Sequence, residues 1–340
     1  MRNAIRLSVA AALLLVAAPP ATSATMNPDV VKGTSLFEGY GAATHIGPRR
    51  LFAWSNEIGR QGRVAAFVEV NGGSISRISA KPTSGYVGGF DSGTDRVIYQ
   101  QVRGDESDLF LYDIGSQERS ALDELNDGHW QWNPSIDTRR GTRWISYGVN
   151  RFGSPSAKWR LYLYDGETGE RTLLDETTNR CGCLFPGAVA YPWVTWAVGD
   201  DATAWRYDIR SGERTPVLPT DRDEYGVAVT PDGTAYVAQA GDRCGSSAQL
   251  YRIDPDGAPF LLHTFRDGLE GANLSLDFTG PHDRLYFDRR NCRTGGSDIL
   301  RLRRAEVIGE PAELARGASG DRPRGPTRSA ASPDASPRTR

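Results

Sequence analysis

The sequence predicts an all-β chain of repeated antiparallel units, and three observations support this prediction. A hairpin pattern, in which two alternating apolar runs flank a polar turn, occurs six times in the 340 residues. A further alternating run precedes each hairpin, and a short apolar segment precedes five of these runs. No segment carries a long 3.6-residue period with helix caps, so helix is expected to be scarce. The unit is therefore four strands, and six units predict a six-bladed β-propeller of four-stranded antiparallel blades.

The hairpins supply the third and fourth strands of each unit. Their copies are Ala66–Ile78, Leu109–Leu122, Leu161–Leu174, Trp205–Leu218, Leu250–Leu262 and Ile299–Leu314. In the four best copies one position is held by Tyr112, Tyr164, Tyr207 and Ile253, at spacings of 52, 43 and 46 residues. A self-similar period in the forties is typical of propeller blades.

The runs before the hairpins supply the second strands, and they alternate β-branched and aromatic residues with polar ones. They are Leu51–Asn56, Arg96–Val102, Arg143–Val149, Trp193–Gly199, Thr234–Gly241 and Arg284–Arg290. Turn residues such as Pro231–Gly233 separate the first strand from the second. Residues before about Tyr40 are a candidate for an added edge strand that would help to close the ring.

Several of these segments resemble the repeats of TolB-like six-bladed β-propellers. Trp132–Tyr147 and Val227–Ala238 follow that family's apolar strand, turn and second strand, and Leu161–Leu174 follows its Tyr-Asp and Gly-Glu hairpin. The resemblance covers residues 40–315 and implies the propeller fold without implying an activity. It concerns the propeller only, because no N-terminal α/β domain of the kind found in TolB is recognisable.

The two ends of the chain differ in composition from the repeats. Residues 1–24 combine a positive start, a 12-residue apolar run (Leu7–Ala18) and small residues at the cleavage region, which predicts a secretory signal peptide. A retained membrane anchor is the alternative. Residues 25–39 form an N-terminal segment, and residues 316–340 are a Pro/Ser/Arg-rich tail expected to be disordered. The protein is therefore expected to be secreted, to the outside or the envelope of a bacterial cell, with no integral membrane segment after cleavage.

Charge and composition limit the classes of partner. The formal net charge is −2 and the pI about 6.1, so the chain has no general attraction for nucleic acid. We expect a protein, peptide or glycan partner, no cofactor and a monomeric protein.

The candidate binding residues follow from the resemblance, which implies that first-strand starts and the loops between second and third strands share one face around the channel. The candidates are Arg103, His129, Trp130, Trp132, Arg151, Arg180, Asp223, Tyr225 and Arg290. The richest stretch is His129–Trp132, whose aromatic rings, imidazole and amide suit a sugar or a peptide. The alternative is that Trp132 packs between blades, that His129 caps the loop and that the charged side chains are simply solvated.

Four cysteines are predicted to form two disulfides, because export leads to an oxidising compartment. Cys244 and Cys292 follow equivalent strands of neighbouring repeats, which favours a bridge between them and leaves Cys181 and Cys183 as partners. Cross-pairing is the competing arrangement, and a zinc site is disfavoured because the usual two-residue spacer is absent.

No catalytic or metal-binding constellation is recognisable among the four histidines and the many turn carboxylates. The sequence therefore favours a non-enzymatic binding or scaffolding propeller. The alternative is a lyase or hydrolase at the channel mouth, with His129 as its acid or base. A purely structural or sensor module is the remaining possibility.

Overall fold

The computed structural model describes residues 29–32, 38–58, 63–81, 83–150, 158–178, 184–198, 203–219, 224–239, 248–265, 275–277, 284–290 and 297–303. Within these ranges the chain contains strands and turns and no helix. The strands are β1 (Asp29–Lys32), β2 (Glu38–Ile46), β3 (Arg49–Ile58), β4 (Arg63–Val70), β5 (Ile75–Arg77), β6 (Ser84–Phe90), β7 (Arg96–Arg103), β8 (Glu106–Asp113), β9 (Glu118–Ala121), β10 (Trp130–Asp137), β11 (Trp144–Asn150), β12 (Trp159–Asp165), β13 (Arg171–Thr177), β14 (Leu184–Ala190), β15 (Trp193–Val198), β16 (Thr203–Asp208), β17 (Glu213–Pro219), β18 (Glu224–Val229), β19 (Ala235–Gln239), β20 (Ala248–Ile253), β21 (Pro259–Phe265), β22 (Ser275–Asp277), β23 (Arg284–Arg290) and β24 (Ser297–Leu302).

These strands pair in consecutive groups of four antiparallel strands. The groups are β2–β5, β6–β9, β10–β13, β14–β17, β18–β21, and β22–β24 together with β1. The second and third groups are joined into one sheet by a single parallel pair, Trp130 with Ser107. The predicted all-β class and the four-stranded antiparallel repeat are confirmed.

The last group takes its outer strand from the other end of the chain. β1 pairs antiparallel with β24, with Asp29 opposite Arg301 and Val30 opposite Leu300. The prediction that Ile299–Leu314 forms its own hairpin is therefore wrong at this edge, because β1 occupies the side of β24 that the hairpin would need. Residues 304–314 lie outside the described residues.

Apolar clusters fill the spaces between neighbouring groups, because each sheet presents apolar side chains on both faces. In the described residues every seam has a cluster of its own, including the seam between the last group and the first. Members from the two sides of each seam are Ala53 and Tyr99, Leu111 and Ile145, Leu163 and Trp196, Ala204 and Val237, Leu250 and Phe287, and Tyr286 and Phe52.

The first strands of the groups contact one another in series, from β2 through β6, β10, β14 and β18 to β22, and β22 contacts β2. Small residues allow this close approach. A Cβ at Gly88 would lie 2.1 Å from the carbonyl oxygen of Pro134, and one at Gly187 would lie 2.8 Å from that of Val227. A register shift interrupts the pairing of β2, β6, β10, β14 and β18 with their second strands, which bends each one locally.

Buried aspartates join neighbouring groups where the first strands end. Asp91, after β6, accepts hydrogen bonds from the backbone nitrogen (2.9 Å) and hydroxyl (2.8 Å) of Thr138 in the next group. Asp137, at the end of β10, accepts one from the backbone nitrogen of Tyr191 at 2.7 Å and pairs with Arg139. We call Asp91, Asp137 and their partners the aspartate staples.

Candidate functional site

The opposite end of the first strands carries those predicted binding residues that the structure describes, and β10 is fixed there by hydrogen bonds to the second group. The hydroxyl of Ser107 donates to the backbone oxygen of Gln131 at 2.5 Å, and the side-chain nitrogen of Gln100 donates to that hydroxyl at 2.8 Å. All three residues are buried. The start of β10 is therefore held beside the β7–β8 hairpin, whose tip carries the exposed Arg103.

Strand register places three tryptophans around one asparagine on the face of the third group that is turned to the fourth. Asn150 is directly opposite Trp130 on one side and Trp159 on the other, so the three side chains share a face. Trp132 lies in the next row of that face, opposite Gly148. We call Trp130, Trp132, Asn150 and Trp159 the tryptophan platform. Its three indoles are each half-buried.

Trp132 is fixed within the platform by its neighbours. Its ring meets that of Trp159 edge to face, with centroids 5.4 Å apart and an interplanar angle of 90°. Its indole also lies against Gly148, because a Cβ there would be 2.3 Å from Trp132 Nε1. Both contacts lie within the third group, so they fix the ring on its own sheet, and the alternative that Trp132 packs between sheets stays a prediction.

Two polar atoms of the platform are buried without a hydrogen-bond partner in the described part of the chain. They are the indole nitrogen of Trp132, which is a donor, and the amide oxygen Oδ1 of Asn150, which is an acceptor. Asn150 is only 4% exposed. Most buried polar groups in proteins are paired, so each exception needs an explanation.

His129, just before β10, is oriented by Asp127. Its Nδ1 lies 3.0 Å from Oδ1 of Asp127, and 33% of its side chain is exposed. The same carboxylate accepts hydrogen bonds from Gln131 Nε2 at 2.7 Å and from Arg171 Nη1 at 3.2 Å. All the hydrogen bonds given for His129 are to Asp127, two residues earlier, so they suit both a loop cap and an oriented imidazole. Nearby, burial raises the pKa of the Tyr147 hydroxyl, which Arg171 partly offsets.

The cations beside the platform are already paired. Glu176 accepts hydrogen bonds from both Lys158 and Arg160, the latter at 2.7 Å from Nε. These two bonds lower the pKa of the Glu176 carboxyl. Two cations share this one carboxylate, so these three side chains together keep a net positive charge.

The structure brings some predicted site residues together and leaves the others unconnected. His129, Trp130 and Trp132 form one stretch beside Arg103. Tyr225 lies at the register shift of β18 and Arg290 at the end of β23, in other groups. The predicted residues that lie outside the described residues are Arg151, Arg180, Asp223, Cys181, Cys183, Cys244 and Cys292.

Sequence reasoning did not single out Asp127, Asn150 or Trp159. Strand register could have identified Asn150 and Trp159, because these two residues flank one loop and are opposite each other once β11 and β12 pair. Two negative findings apply to the described ranges alone. They contain no cluster of three or more His, Cys, Asp or Glu side chains that could hold a metal ion. They also contain no apolar helix long enough to cross a membrane.

Comparison with known proteins identifies the fold type. No family model and no curated protein sequence matches the chain. Regucalcin from Agrobacterium tumefaciens, a calcium-binding protein, matches with a TM-score of 0.54 at 16% identity, over 83% of this chain and 95% of that one. An oligogalacturonate lyase in complex with manganese gives 0.48 at 14% identity, over 81% and 84%. TolB from Acinetobacter baumannii gives 0.46 at 11% identity, over 71% and 59%. The regucalcin match shows that this chain has a propeller-type fold.

Proposed function

We propose that the chain forms a closed six-bladed, TolB-like propeller whose body corresponds to the predicted range 40–315, with β1 added to its last blade. Two observations support closure. Apolar clusters fill each described seam, including the seam between the last group and the first. The first strand of the last group also contacts the first strand of the first. Radial packing of this kind buries both faces of every sheet.

The proposed function is non-enzymatic binding or scaffolding through the face on which β10 starts, with a protein, peptide or glycan as partner. The tryptophan platform carries this proposal. Half-buried tryptophans that offer an apolar face and a polar nitrogen are typical of binding surfaces.

A screen of the purified protein against peptide, protein and glycan arrays tests this function. We expect binding without chemical change of the ligand, and weaker binding after Trp130→Ala. Trp193→Ala is the matched control, because Trp193 starts β15 at the other end of the sheets, near Gly233. Ligand turnover that disappears in His129→Ala would contradict a non-enzymatic role.

An enzyme is the second candidate, and the Asp127–His129 pair favours it. A carboxylate that orients an imidazole is a common arrangement for a general acid or base. If the protein is a lyase or hydrolase, Asp127→Asn lowers turnover and changes its pH profile, because the amide no longer fixes the His129 tautomer. The unfolding free energy should fall by less than about 1 kcal/mol, since Asp127 and Arg171 are both partly exposed. Unchanged turnover in both Asp127→Asn and His129→Ala would eliminate this candidate.

Export, disulfides and monomeric state remain part of the proposal. The observed strands support the cysteine pairing indirectly, because Cys244 follows β19 and Cys292 follows β23, which are the second strands of neighbouring groups. Peptide mapping without reduction should find two bridges, and a free Cys244 would contradict the pairing. N-terminal sequencing of secreted protein should begin after residue 23 or 24. Residues 316–340 should be removable without loss of stability, and light scattering should give the mass of one chain.

A further inference from the structure

The outer strands of three neighbouring groups carry an arginine at the same position of the repeat. Arg119, Arg171 and Arg214 each follow a glutamate, and each is directly opposite a tyrosine of the third strand of its group. Opposite residues of paired strands share a face, so the three arginines have corresponding places in their sheets. What each arginine meets in the preceding group therefore shows how the seams differ.

Two of the three arginines are neutralised by a carboxylate of the preceding group. Arg171 Nη1 donates to Oδ2 of Asp127 at 3.2 Å, and Arg214 Nη2 donates to Oδ2 of Asp175 at 2.9 Å. Asp127 follows the outer strand β9, and Asp175 belongs to the outer strand β13. At both seams, an acidic side chain from one group therefore faces the arginine of the next.

The seam between the first and second groups has an arginine in place of that acid. Arg119 is opposite Tyr112, which packs in one cluster with Ile78 of the first group, so Arg119 faces that group. The residue beside Ile78 is Arg77. Burial and the charge of Arg119 lower the pKa of the Arg77 guanidinium. Among the described residues, neither Arg77 nor Arg119 forms an ion pair with a carboxylate.

Arg77 is oriented by neutral acceptors, which do not cancel its charge. Its Nε donates to the backbone oxygen of Ser79 at 3.1 Å, and its Nη2 donates to the backbone oxygens of Ala80 and Thr83, both at 3.1 Å. Its Nη1 has no acceptor in the described part of the chain. Arg77 is half-buried and Arg119 is exposed, so an ion from solvent can reach both guanidinium groups.

We propose that Arg77 and Arg119 form a binding site for a tetrahedral oxyanion, phosphate or sulfate, at the outer rim of the seam between the first and second groups. The anion takes the role that Asp127 and Asp175 have at the next two seams. Two guanidinium groups carry two positive charges, which favours a divalent anion, and their planar N–H groups match its oxygens. The anion is either free or the monoester group of a larger ligand. This site is separate from the tryptophan platform and does not depend on the function proposed above.

The test measures binding of inorganic phosphate, inorganic sulfate and methyl phosphate to the purified protein by isothermal titration calorimetry, with chloride as the reference anion at constant ionic strength. We expect phosphate or sulfate to bind with a dissociation constant of about 1 mM or lower. Arg119→Ala should weaken binding about tenfold or more, the loss typical of one charge-assisted hydrogen bond. Arg96→Ala is the matched control, because it removes an arginine of the same sheet that already faces Asp113 at 3.6 Å. It should bind as the unmodified protein does.

Methyl phosphate distinguishes the two sources of the anion. If it binds as tightly as inorganic phosphate, the site accepts the monoester group of a larger ligand. If inorganic phosphate binds and methyl phosphate does not, the site holds the free ion. Either result supports an oxyanion site.

Melting temperatures give a second measurement. In chloride buffer, Arg119→Ala removes a like-charge contact, so its melting temperature should stay level or rise. Arg214→Ala removes the partner of Asp175 and the stacking on two indole rings, so its melting temperature should fall. Added phosphate should raise the melting temperature of the unmodified protein and of Arg96→Ala, but not that of Arg119→Ala.

Several results would overturn the oxyanion site. They are an absence of binding by phosphate and sulfate at about 10 mM, equal affinities in Arg119→Ala and Arg96→Ala, or an equal effect of phosphate on the melting temperatures of these two variants. Arg77→Gln keeps a side-chain amide that can donate to the same loop oxygens, and it should also weaken binding. Unchanged affinity in folded Arg77→Gln would contradict the part assigned to Arg77.

Discussion

The two ends of the first strands differ in whether their buried polar groups have hydrogen-bond partners. At the aspartate staples, the carboxylates of Asp91 and Asp137 are fully buried, and both are hydrogen-bonded to the next group. At the tryptophan platform, the buried polar atoms of Trp132 and Asn150 have no partner in the described residues. At the staples a buried carboxylate joins two sheets because the protein itself supplies its hydrogen-bond donors. At the platform the packing of the rings positions the side chains, and the two buried polar atoms have no such donor or acceptor among the described residues.

Removing a staple should give the largest loss of stability. Asp137→Ala leaves the Arg139 guanidinium and the Tyr191 backbone nitrogen without their acceptor, which should cost about 3 kcal/mol of unfolding free energy. Asp208→Ala is the matched control, since Asp208 pairs with Arg210 in the same Asp-x-Arg arrangement. Arg210 is largely exposed, so that loss should stay below about 1 kcal/mol. Denaturant titration measures both, and equal losses would show that the burial of Asp137 and its bond to the next group add no stability.

Disturbing the platform should lower the unfolding free energy less than removing a staple does, and should weaken ligand binding more. Gly148→Ala places a Cβ against the indole of Trp132, which must move, so we expect a loss of about 1–3 kcal/mol and weaker ligand binding. A Cβ at Gly89 meets nothing within 4 Å, so Gly89→Ala should change stability by less than about 0.5 kcal/mol. A Gly148→Ala protein with normal stability and normal binding would show that the position of Trp132 does not matter.

The smallest expected effect is a pH dependence at the staples. Burial raises the pKa of the Asp91 carboxyl, despite opposing hydrogen bonds from Thr138. The folded state therefore binds the proton more tightly than the unfolded state, and the stabilisation is present below the ordinary pKa and lost as pH rises through the raised one. Asp91→Asn removes this titration. The stability difference, unmodified protein minus Asp91→Asn, should decrease with rising pH between about pH 3 and pH 7. A difference that increases would reverse the sign argued here.

Local sequence patterns were sufficient to predict the strands and their grouping. The alternation of apolar and polar residues along Arg96–Val102 and within Leu161–Leu174 identifies strands, because successive side chains point to opposite faces of any sheet. The origin of the outer strand on β24 was less predictable, since β1 pairs with a segment some 270 residues away in sequence and four residues carry little periodicity.

The candidate site was only half predictable. His129–Trp132 is conspicuous because its aromatic and polar residues are adjacent in sequence. Asn150 and Trp159 join it through cross-strand register, and Asp127 joins through a side-chain hydrogen bond. Neither relation can be read from residue type alone. Whether a buried polar atom has a hydrogen-bond partner depends on the positions of all its neighbours, which the local sequence does not give.

The closed ring is the central claim, and a disulfide across its closing strand pair tests it most directly. Asp29 is directly opposite Arg301, so cysteines at these two positions are close enough to bridge. The account predicts that Asp29→Cys with Arg301→Cys forms an intramolecular bridge in the folded protein, identified by peptide mapping, and that it raises the melting temperature. Asp29→Cys with Arg303→Cys, two residues out of register, should bridge poorly. Equal bridging in the two variants, or bridges only between molecules, would contradict closure of the ring by β1.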